Sequence, residues 1–349
     1  MRWLIALTVT IAAMTSARAM GVRESGDWTA ICDNLRSCTA ILVQEDRYDP
    51  NAPFAAYLRL TREGDADSVP RITVVVTSGG GAVTPLIDGR PIRGIAQFKL
   101  QLDINWPLDA ADAGPSFYTS QFDGAQSSAV LRALRHGGRL TLTNATGVSI
   151  TFALAGMSST LRWIDAEQMR AGTRSAMLDR GDRTDGPPPV PPLPKIAAPP
   201  KAPQDRLPAA PPPLAEIIRT MDCGKGRVSL FITQRLAANT ILWAPACTPD
   251  EIAHRAYVSD EDGNHFRAVD LPAPPDVDAA AFHADLAGRS DDPRMAGYYP
   301  WLTRCGRQIE WLWTGSAFAI AGMWWVMDCR GVLEVDRTPI YRAETVAAP

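Results

Sequence analysis

Six cysteines are the residues of this sequence whose type and spacing most directly suggest chemistry. They form three neighbouring pairs along the chain: Cys32 and Cys38, Cys223 and Cys247, and Cys305 and Cys329. No pair has the C-x₂₋₄-C spacing of a zinc site or the C-x-x-C spacing of a redox centre. An even number of cysteines in an exported chain is typical of structural disulfides. We therefore predict the bridges 32–38, 223–247 and 305–329, with no metal and no cofactor.

Other residues with catalytic side chains do not form a recognisable motif. The sequence lacks the G-x-S-x-G turn of a nucleophilic serine, and the glycine run at 79–81 lacks the context of a phosphate-binding loop. Glu310 and Asp328 are carboxylates, but glycoside hydrolysis needs two of them at a set separation. We expect no catalytic residues, and an envelope hydrolase with an unrecognised site remains an alternative.

Aromatic residues near the C-terminus are the strongest positive signal for binding. The candidate binding surface consists of Tyr298, Tyr299, Trp301, Trp324 and Trp325. Neighbouring residues on a strand point to opposite faces, so at least one of the two adjacent tryptophans is expected to be exposed. Two interpretations remain open. The rings fill a core beside the 305–329 disulfide, or they form a platform for a glycan, a peptide or an envelope protein.

The N-terminus has the pattern of a cleaved signal peptide. Arg2 precedes a short apolar run, and Ala17 and Ala19 are the small residues that a signal peptidase requires. We predict cleavage after residues 1–19. No later stretch reaches the ~20 apolar residues of a spanning helix, so the mature chain is expected to be periplasmic or secreted, without a membrane span.

Length and composition indicate two domains. The chain has 349 residues, which exceeds one ordinary domain. Its formal net charge of −3 argues against a nucleic-acid partner, which requires a basic surface. Residues 181–213 are rich in proline and predict an extended linker. This linker separates an N-terminal domain, 20–180, from a C-terminal domain, 214–345.

Periodicity predicts an α+β protein in which strands dominate. The N-terminal domain contains several alternating segments and two short helices, near 127–136 and 158–170. The C-terminal domain contains short strands separated by turn residues, which is typical of a β-meander.

Three stretches resemble the DUF1176 family of bacterial proteins. They are GDWTAICDNLRSC (26–38), LAGMSSTLRWIDAEQMRAGT (154–173) and TRCGRQIEWLWTGSAFAIAGMWWVMDCRG (303–331). The length and the six cysteines also fit. The resemblance implies no activity, because the family is a domain of unknown function.

A second resemblance covers the N-terminal domain only. DWTAIC, ALRHGGRLTLT and ITFALAGMSSTL are similar to segments of the invasion-associated locus B proteins, which implies a β-sandwich-like domain but no role in invasion. The sequence therefore favours an exported, disulfide-stabilised binding module that is not an enzyme. A structural or enzyme-inhibitory periplasmic protein is a further alternative.

Overall fold

The structure is a computed structural model of the chain. It describes residues 21–44, 56–76, 80–102, 118–145, 147, 149–202, 207–222, 227–248, 255–274, 285–288, 294–299, 306–326 and 337–348. The predicted signal peptide, Trp301 and the cysteines 223, 305 and 329 lie outside these residues. Strands dominate the described part of the chain, as predicted.

The N-terminal half contributes strands to one large antiparallel sheet. Its members are β1 (Val22–Ser25), β2 (Trp28–Cys32), β3 (Cys38–Val43), β4 (Ala56–Arg62), β5 (Arg71–Val76), β6 (Gly81–Ile87), β7 (Arg90–Pro91), β8 (Phe98–Leu102), β9 (Tyr118–Phe122), β10 (Arg139–Asn144) and β11 (Ser149–Ala153). Their spatial order is β1-β2-β3-β4-β5-β9-β8-β6-β10-β11, and β7 pairs with β6. The predicted turn at Asp88-Gly89 joins β6 to β7, and both of its residues have positive φ.

The remaining strands form three smaller sheets. Their members are β12 (Lys195–Ala198), β13 (Arg227–Ala237), β14 (Thr240–Thr248), β15 (Ala256–Ser259), β16 (Arg267–Val269), β17 (Asp285–Gly288), β18 (Arg294–Tyr299), β19 (Gly306–Trp313), β20 (Phe318–Val326), β21 (Thr338–Arg342) and β22 (Glu344–Ala347). Strands β13 to β16 and strands β17 to β21 pair in chain order, each set in its own antiparallel sheet. Strand β12 pairs with β22 in parallel.

Two of the three helices in the described residues are those that periodicity predicted. They are α1 (Gly124–Leu134) and α2 (Met157–Glu167), whereas α3 (Pro212–Thr220) was not predicted. Gly156 precedes α2 with φ of 89°. A Cβ atom there would lie 1.8 Å from the carbonyl oxygen of Ser25. Only glycine therefore allows α2 to start this close to β1.

Alternating residues bury one face of the N-terminal sheet under the first two helices. Leu42 of β3, Leu58 of β4 and Val74 of β5 lie in a core that also contains Leu134 of α1 and Leu161 of α2. This core accounts for the apolar face of both helices, as an amphipathic pattern requires.

The opposite face of the same sheet is buried as well. Ile41, Tyr57 and Val75 lie in a second core together with Trp311 and Trp313 of β19. The two halves of the chain therefore share one hydrophobic core. A strand that is buried on both faces needs apolar residues at consecutive positions, which explains the run Val74-Val75-Val76 in β5.

The proline-rich segment 181–213 packs against the rest of the chain at two places. Ala198 of β12 is buried against Leu312 and Ala321. Leu207 and Ala210 pack against a cluster that contains Leu214, in the first turn of α3, and Trp243. The segment contains the short strand β12, and it is not solvated along its whole length. No helix in the described ranges is long and apolar enough to cross a membrane.

Candidate functional site

One of the three predicted disulfides lies within the described residues. Cys32 and Cys38 are bonded, with an S–S distance of 1.99 Å, and they are a directly opposed pair between β2 and β3. Cys247 lies in β14, and its predicted partner Cys223 lies outside the described residues. The pairings 223–247 and 305–329 therefore stay predictions.

The disulfide closes a tight loop, residues 33–37, whose conformation is fixed by Asp33. The Oδ1 atom of Asp33 accepts hydrogen bonds from the backbone N–H groups of Leu35 and Ser37, each 2.8 Å long. Asp and Asn side chains often replace backbone acceptors in this way. The loop is therefore held both covalently and by its first side chain.

This loop contacts the C-terminal half at Arg342, the last residue of β21. The Nδ2 atom of Asn34 donates to the carbonyl oxygen of Arg342, and Asn34 Oδ1 accepts from its N–H, both at 2.9 Å. The guanidinium Nε of Arg342 donates to Asp33 Oδ2 at 2.8 Å. Burial raises the pKa of the Asp33 carboxyl, and the charge of Arg342 acts in the opposite direction.

Beside this contact lies a cleft of about 170 Å³, which we call the junction cleft. The N-terminal half contributes Arg59 and Glu63, and the C-terminal half contributes Arg337 and Arg342. Ligand sites commonly lie where two structural units meet. Here, three arginines from two distant parts of the sequence line one opening.

The tryptophans of the C-terminal region divide into two sets. Trp311 and Trp313 are fully buried, and the indole N–H of Trp311 donates to the carbonyl oxygen of Pro272 at 3.0 Å. These two rings therefore follow the core interpretation. Trp324 and Trp325 are half-buried.

An arginine guanidinium group lies over each of the two half-buried rings. The guanidinium carbon of Arg337 lies 5.2 Å from the ring centroid of Trp324, and that of Arg307 lies 5.3 Å from the ring centroid of Trp325. The ring of Trp324 also lies against Gly322, where a Cβ atom would be 2.4 Å from the ring. Trp324 therefore supports Arg337 at the edge of the junction cleft.

The tyrosines of the candidate surface lie in strand β18, in register with the residues of β19 that pair with Trp324 and Trp325. Tyr298 is opposite Gln308, which is opposite Trp324. Tyr299 is opposite Arg307, which is opposite Trp325. The backbone therefore brings four of the five predicted surface residues into two neighbouring rows of one sheet, and the fifth, Trp301, lies outside the described residues. Their role as a binding surface stays a prediction.

A second polar centre is buried in the N-terminal half. The Asp165 carboxylate accepts hydrogen bonds from the N–H groups of Met177 and Leu178 at 2.8 to 3.0 Å. It also pairs with Arg62 at 3.5 Å, and both side chains are less than 5% exposed. Burial raises the pKa of the Asp165 carboxyl, and these N–H groups and then Arg62 oppose that shift.

Gln168 and Arg170 connect this centre to the disulfide loop. Gln168 Nε2 donates to the carbonyl oxygens of Arg36 and Arg62, each at 2.9 Å. Arg170 Nε donates to Gln168 Oε1 at 3.2 Å, and its Nη1 donates to the carbonyl oxygen of Ala66 at 3.0 Å. Buried polar groups of this kind hold loops in fixed positions because leaving them unpaired is costly.

The two carboxyls with raised pKa values, Asp33 and Asp165, are the groups that an envelope hydrolase would be expected to use. Both accept hydrogen bonds from an arginine and from backbone N–H groups, so both hold neighbouring segments in place. Among the described residues, no cluster of three or more His, Cys, Asp or Glu side chains could hold a metal ion.

Sequence reasoning did not identify the arginines of the junction cleft. The stretches 26–38 and 154–173 contain Asp33, Asn34 and Asp165, but nothing in the sequence links them to their partners. Arg342 is 309 positions from Asp33, and Arg62 is 103 positions from Asp165. Contacts over such separations exist only after the sheet has formed.

Comparison with known proteins agrees with the three quoted stretches. A family model described as a protein of unknown function, DUF1176, matches residues 22–343. No curated protein and no solved structure matches the chain. The match includes both halves, the proline-rich segment, the disulfide loop and the junction cleft. The chain belongs to the DUF1176 family.

Proposed function

We propose that this chain is an exported envelope protein that binds a ligand and does not transform it. The proposed site is the junction cleft, and the ligand carries a carboxylate group. The observation that supports this proposal is the convergence of Arg59, Arg337 and Arg342 on one opening. Arginine is the side chain best suited to carboxylates, because its planar fork presents paired N–H donors.

The lining of the cleft favours an anionic ligand. It contains three arginines and one carboxylate, Glu63, and a second carboxylate, Asp33, is bonded to Arg342. A ligand carboxylate suits this excess of arginines. Peptide ends and acidic sugars both present this group, and both occur in the bacterial envelope.

Trp324 has a positioning role in this proposal. A guanidinium that stacks on an indole ring keeps its in-plane N–H groups available for hydrogen bonds. Arg337 also donates to Gln308 Oε1. Ring and amide together restrict the rotamers of Arg337 before a ligand arrives, which lowers the entropic cost of binding.

Titration of the mature, oxidised protein tests this proposal. The probes are an alanine-ended peptide with a free terminal carboxylate, its amidated form, galacturonic acid and galactose, with tryptophan fluorescence as the signal. We expect the acidic member of one pair to bind, and its neutral form to bind about tenfold or more weakly. Hydrogen bonds to charged groups contribute about 1.5–3 kcal/mol, which accounts for a difference of this size. Whichever acidic probe binds identifies the source of the carboxylate.

The variant R337Q and its matched control R307Q locate the site. Both arginines lie over a tryptophan ring, but only Arg337 lines the junction cleft. We expect R337Q to weaken binding of the acidic probe about tenfold or more, and R307Q to leave it nearly unchanged. Equal losses in both variants, or equal affinity for acidic and neutral probes, contradict the proposed site.

A further inference from the structure

A second cleft, of about 280 Å³, opens in the N-terminal half. Residues 66–70, helix α1 and residues 175–177 with 180 form its walls. Four arginines line it, and we call it the arginine cleft: Arg62, Arg132, Arg135 and Arg180. It shares no lining residue with the junction cleft.

The four arginines come from three separate segments. Arg132 lies in the last turn of α1 and Arg135 is the residue that caps it, so the two are three positions apart on one side of the helix. Arg180 comes from the opposite wall, and its Nε donates to the carbonyl oxygen of Ala176 at 2.9 Å. Arg62 ends β4 and is only 4% exposed.

Arg62 forms the polar floor of the cleft. Its Nε donates to the carbonyl oxygen of Ser68 at 3.2 Å, its Nη2 to that of Ser175 at 2.7 Å, and its Nη1 pairs with Asp165 at 3.5 Å. A guanidinium has five N–H donors, so these three bonds leave two of them for other acceptors. The side chain is therefore fixed in position while part of its fork is unused.

Positive charge accumulates at this floor. Burial first, and then the charges of Arg170 and Arg180, lower the pKa of Arg62 to about 10. Asp67 is the acidic residue of the lining, and Asp165 and Arg170 lie behind Arg62 with opposite charges. Four arginines and one carboxylate line the cleft, so its net charge is positive.

We propose that the arginine cleft binds a phosphate-class oxyanion. A phosphate or a phosphate monoester carries close to two negative charges at neutral pH and presents three acceptor oxygens. Several arginine forks can engage these oxygens at once. The hydroxyls of Ser68 and Ser128 also line the cleft and supply neutral donors. A single carboxylate offers half of that charge and fewer acceptors.

Calorimetric titration of the mature, oxidised chain tests this inference. The probes are inorganic phosphate, glycerol 1-phosphate, malonate, and vesicles of phosphatidylcholine with or without phosphatidic acid. We expect binding of phosphate or of its monoester and markedly weaker binding of the dicarboxylate malonate. Binding to the anionic vesicles alone identifies a lipid headgroup as the source of the same phosphate chemistry.

The double variant R132Q/R135Q is compared with the matched control R90Q/R93Q. All four positions lie in the N-terminal half, none is buried, and only the first pair lines the cleft. We expect the first variant to weaken phosphate binding about tenfold or more and the control to bind as the unmodified protein does. The single variant R132Q, at an exposed position, repeats the test if the double variant does not fold.

Several results overturn the inference. One is equal weakening in both double variants, which would indicate general electrostatic attraction. Another is malonate binding as tight as phosphate binding. A third is loss of phosphate binding in R337Q, which would place the phosphate in the junction cleft. Absence of binding by every probe also overturns it.

Discussion

Asn34 and Arg342, 308 positions apart in the chain, exchange two hydrogen bonds of 2.9 Å between the Asn34 amide and the Arg342 backbone. The side-chain amide of Asn34 bonds to the backbone at the end of β21 as a neighbouring strand would. Together with the Asp33–Arg342 ion pair, this contact joins the disulfide loop to the C-terminal half.

Replacing Asn34 by alanine removes both hydrogen bonds and leaves the backbone groups of Arg342 without these partners. We expect the free energy of unfolding to fall by about 1–3 kcal/mol, measured by urea denaturation. N34D keeps the acceptor but places a charged carboxylate oxygen against the Arg342 carbonyl oxygen, so it should destabilise the protein as well. An unchanged stability in N34A would contradict the role of this contact.

The disulfide pairing has a direct chemical test. Peptide mapping without reduction should recover the bridges 32–38, 223–247 and 305–329. The double variant C32S/C38S should lose about 2.4 kcal/mol of stability, as the chain-entropy model gives for a loop of about 7 residues. A bridge between the 32–38 region and the C-terminal half would disprove this pairing.

The Asp165 carboxyl predicts a pH-dependent contribution to stability. Burial raises its folded pKa above the ordinary value of 3.8, so the folded state holds the proton to a higher pH than the unfolded state. The stabilisation from this group is therefore complete below pH 3.8 and is lost as pH rises through the folded pKa. Compared with D165N, the unmodified protein should gain stability as pH falls from 7 toward 4.

At neutral pH, D165N itself should destabilise the protein by about 3–5 kcal/mol, since it breaks a buried ion pair. Asp179 is the matched control, because it also pairs with an arginine but is 60% exposed. D179N should change the unfolding free energy little at any pH. A parallel pH profile of D165N and the unmodified protein would contradict the raised pKa.

The two sets of tryptophans should respond differently to truncation. W311A should lower the unfolding free energy by about 3–5 kcal/mol, because the ring is fully buried. W324A should cost less, because the ring is half-buried, but it should weaken binding of the acidic probe by releasing Arg337. Calorimetry measures the loss of stability, and the fluorescence titration, which uses the remaining tryptophans, measures the loss of binding. An equal stability loss for both would favour the core interpretation for Trp324.

The shared core predicts that the halves depend on each other. Residues 20–180 produced alone expose the face that carries Ile41, Tyr57 and Val75, so we expect the fragment to self-associate in size-exclusion chromatography. In the whole chain, Y57A should cost about 3–5 kcal/mol, and in the fragment much less. A monomeric, stable fragment would show that the proline-rich segment separates independent domains.

Local signals were sufficient for several features of this protein. The disulfide 32–38 and the turn at Asp88-Gly89 follow from near neighbours in the sequence, and the two first helices follow from periodicity and their flanking residues. These features depend on contacts within a few positions, which a sequence displays directly. Strand dominance follows for the same reason, because alternation is a local pattern.

Helix α3 and strand β12 show where local signals failed. Proline has no backbone N–H to donate, so the density of proline at 181–213 indicated a solvated spacer. Strand β12 pairs through the few non-proline residues that remain, Lys195 to Ala198, and its partner β22 lies about 150 residues away. Pro212 and Pro213 fall in the first turn of α3, where proline is tolerated.

The sequence by itself determined the family, the strand-rich class and one disulfide, because each depends on residue types at short spacing. Only the tertiary structure decided that both faces of the N-terminal sheet are buried, that Trp324 supports an arginine, and that three arginines meet at the junction cleft. Those arrangements arise when strands more than 200 positions apart pack together, and the charge of a cleft is a property of that packing. No spacing along the chain specifies it.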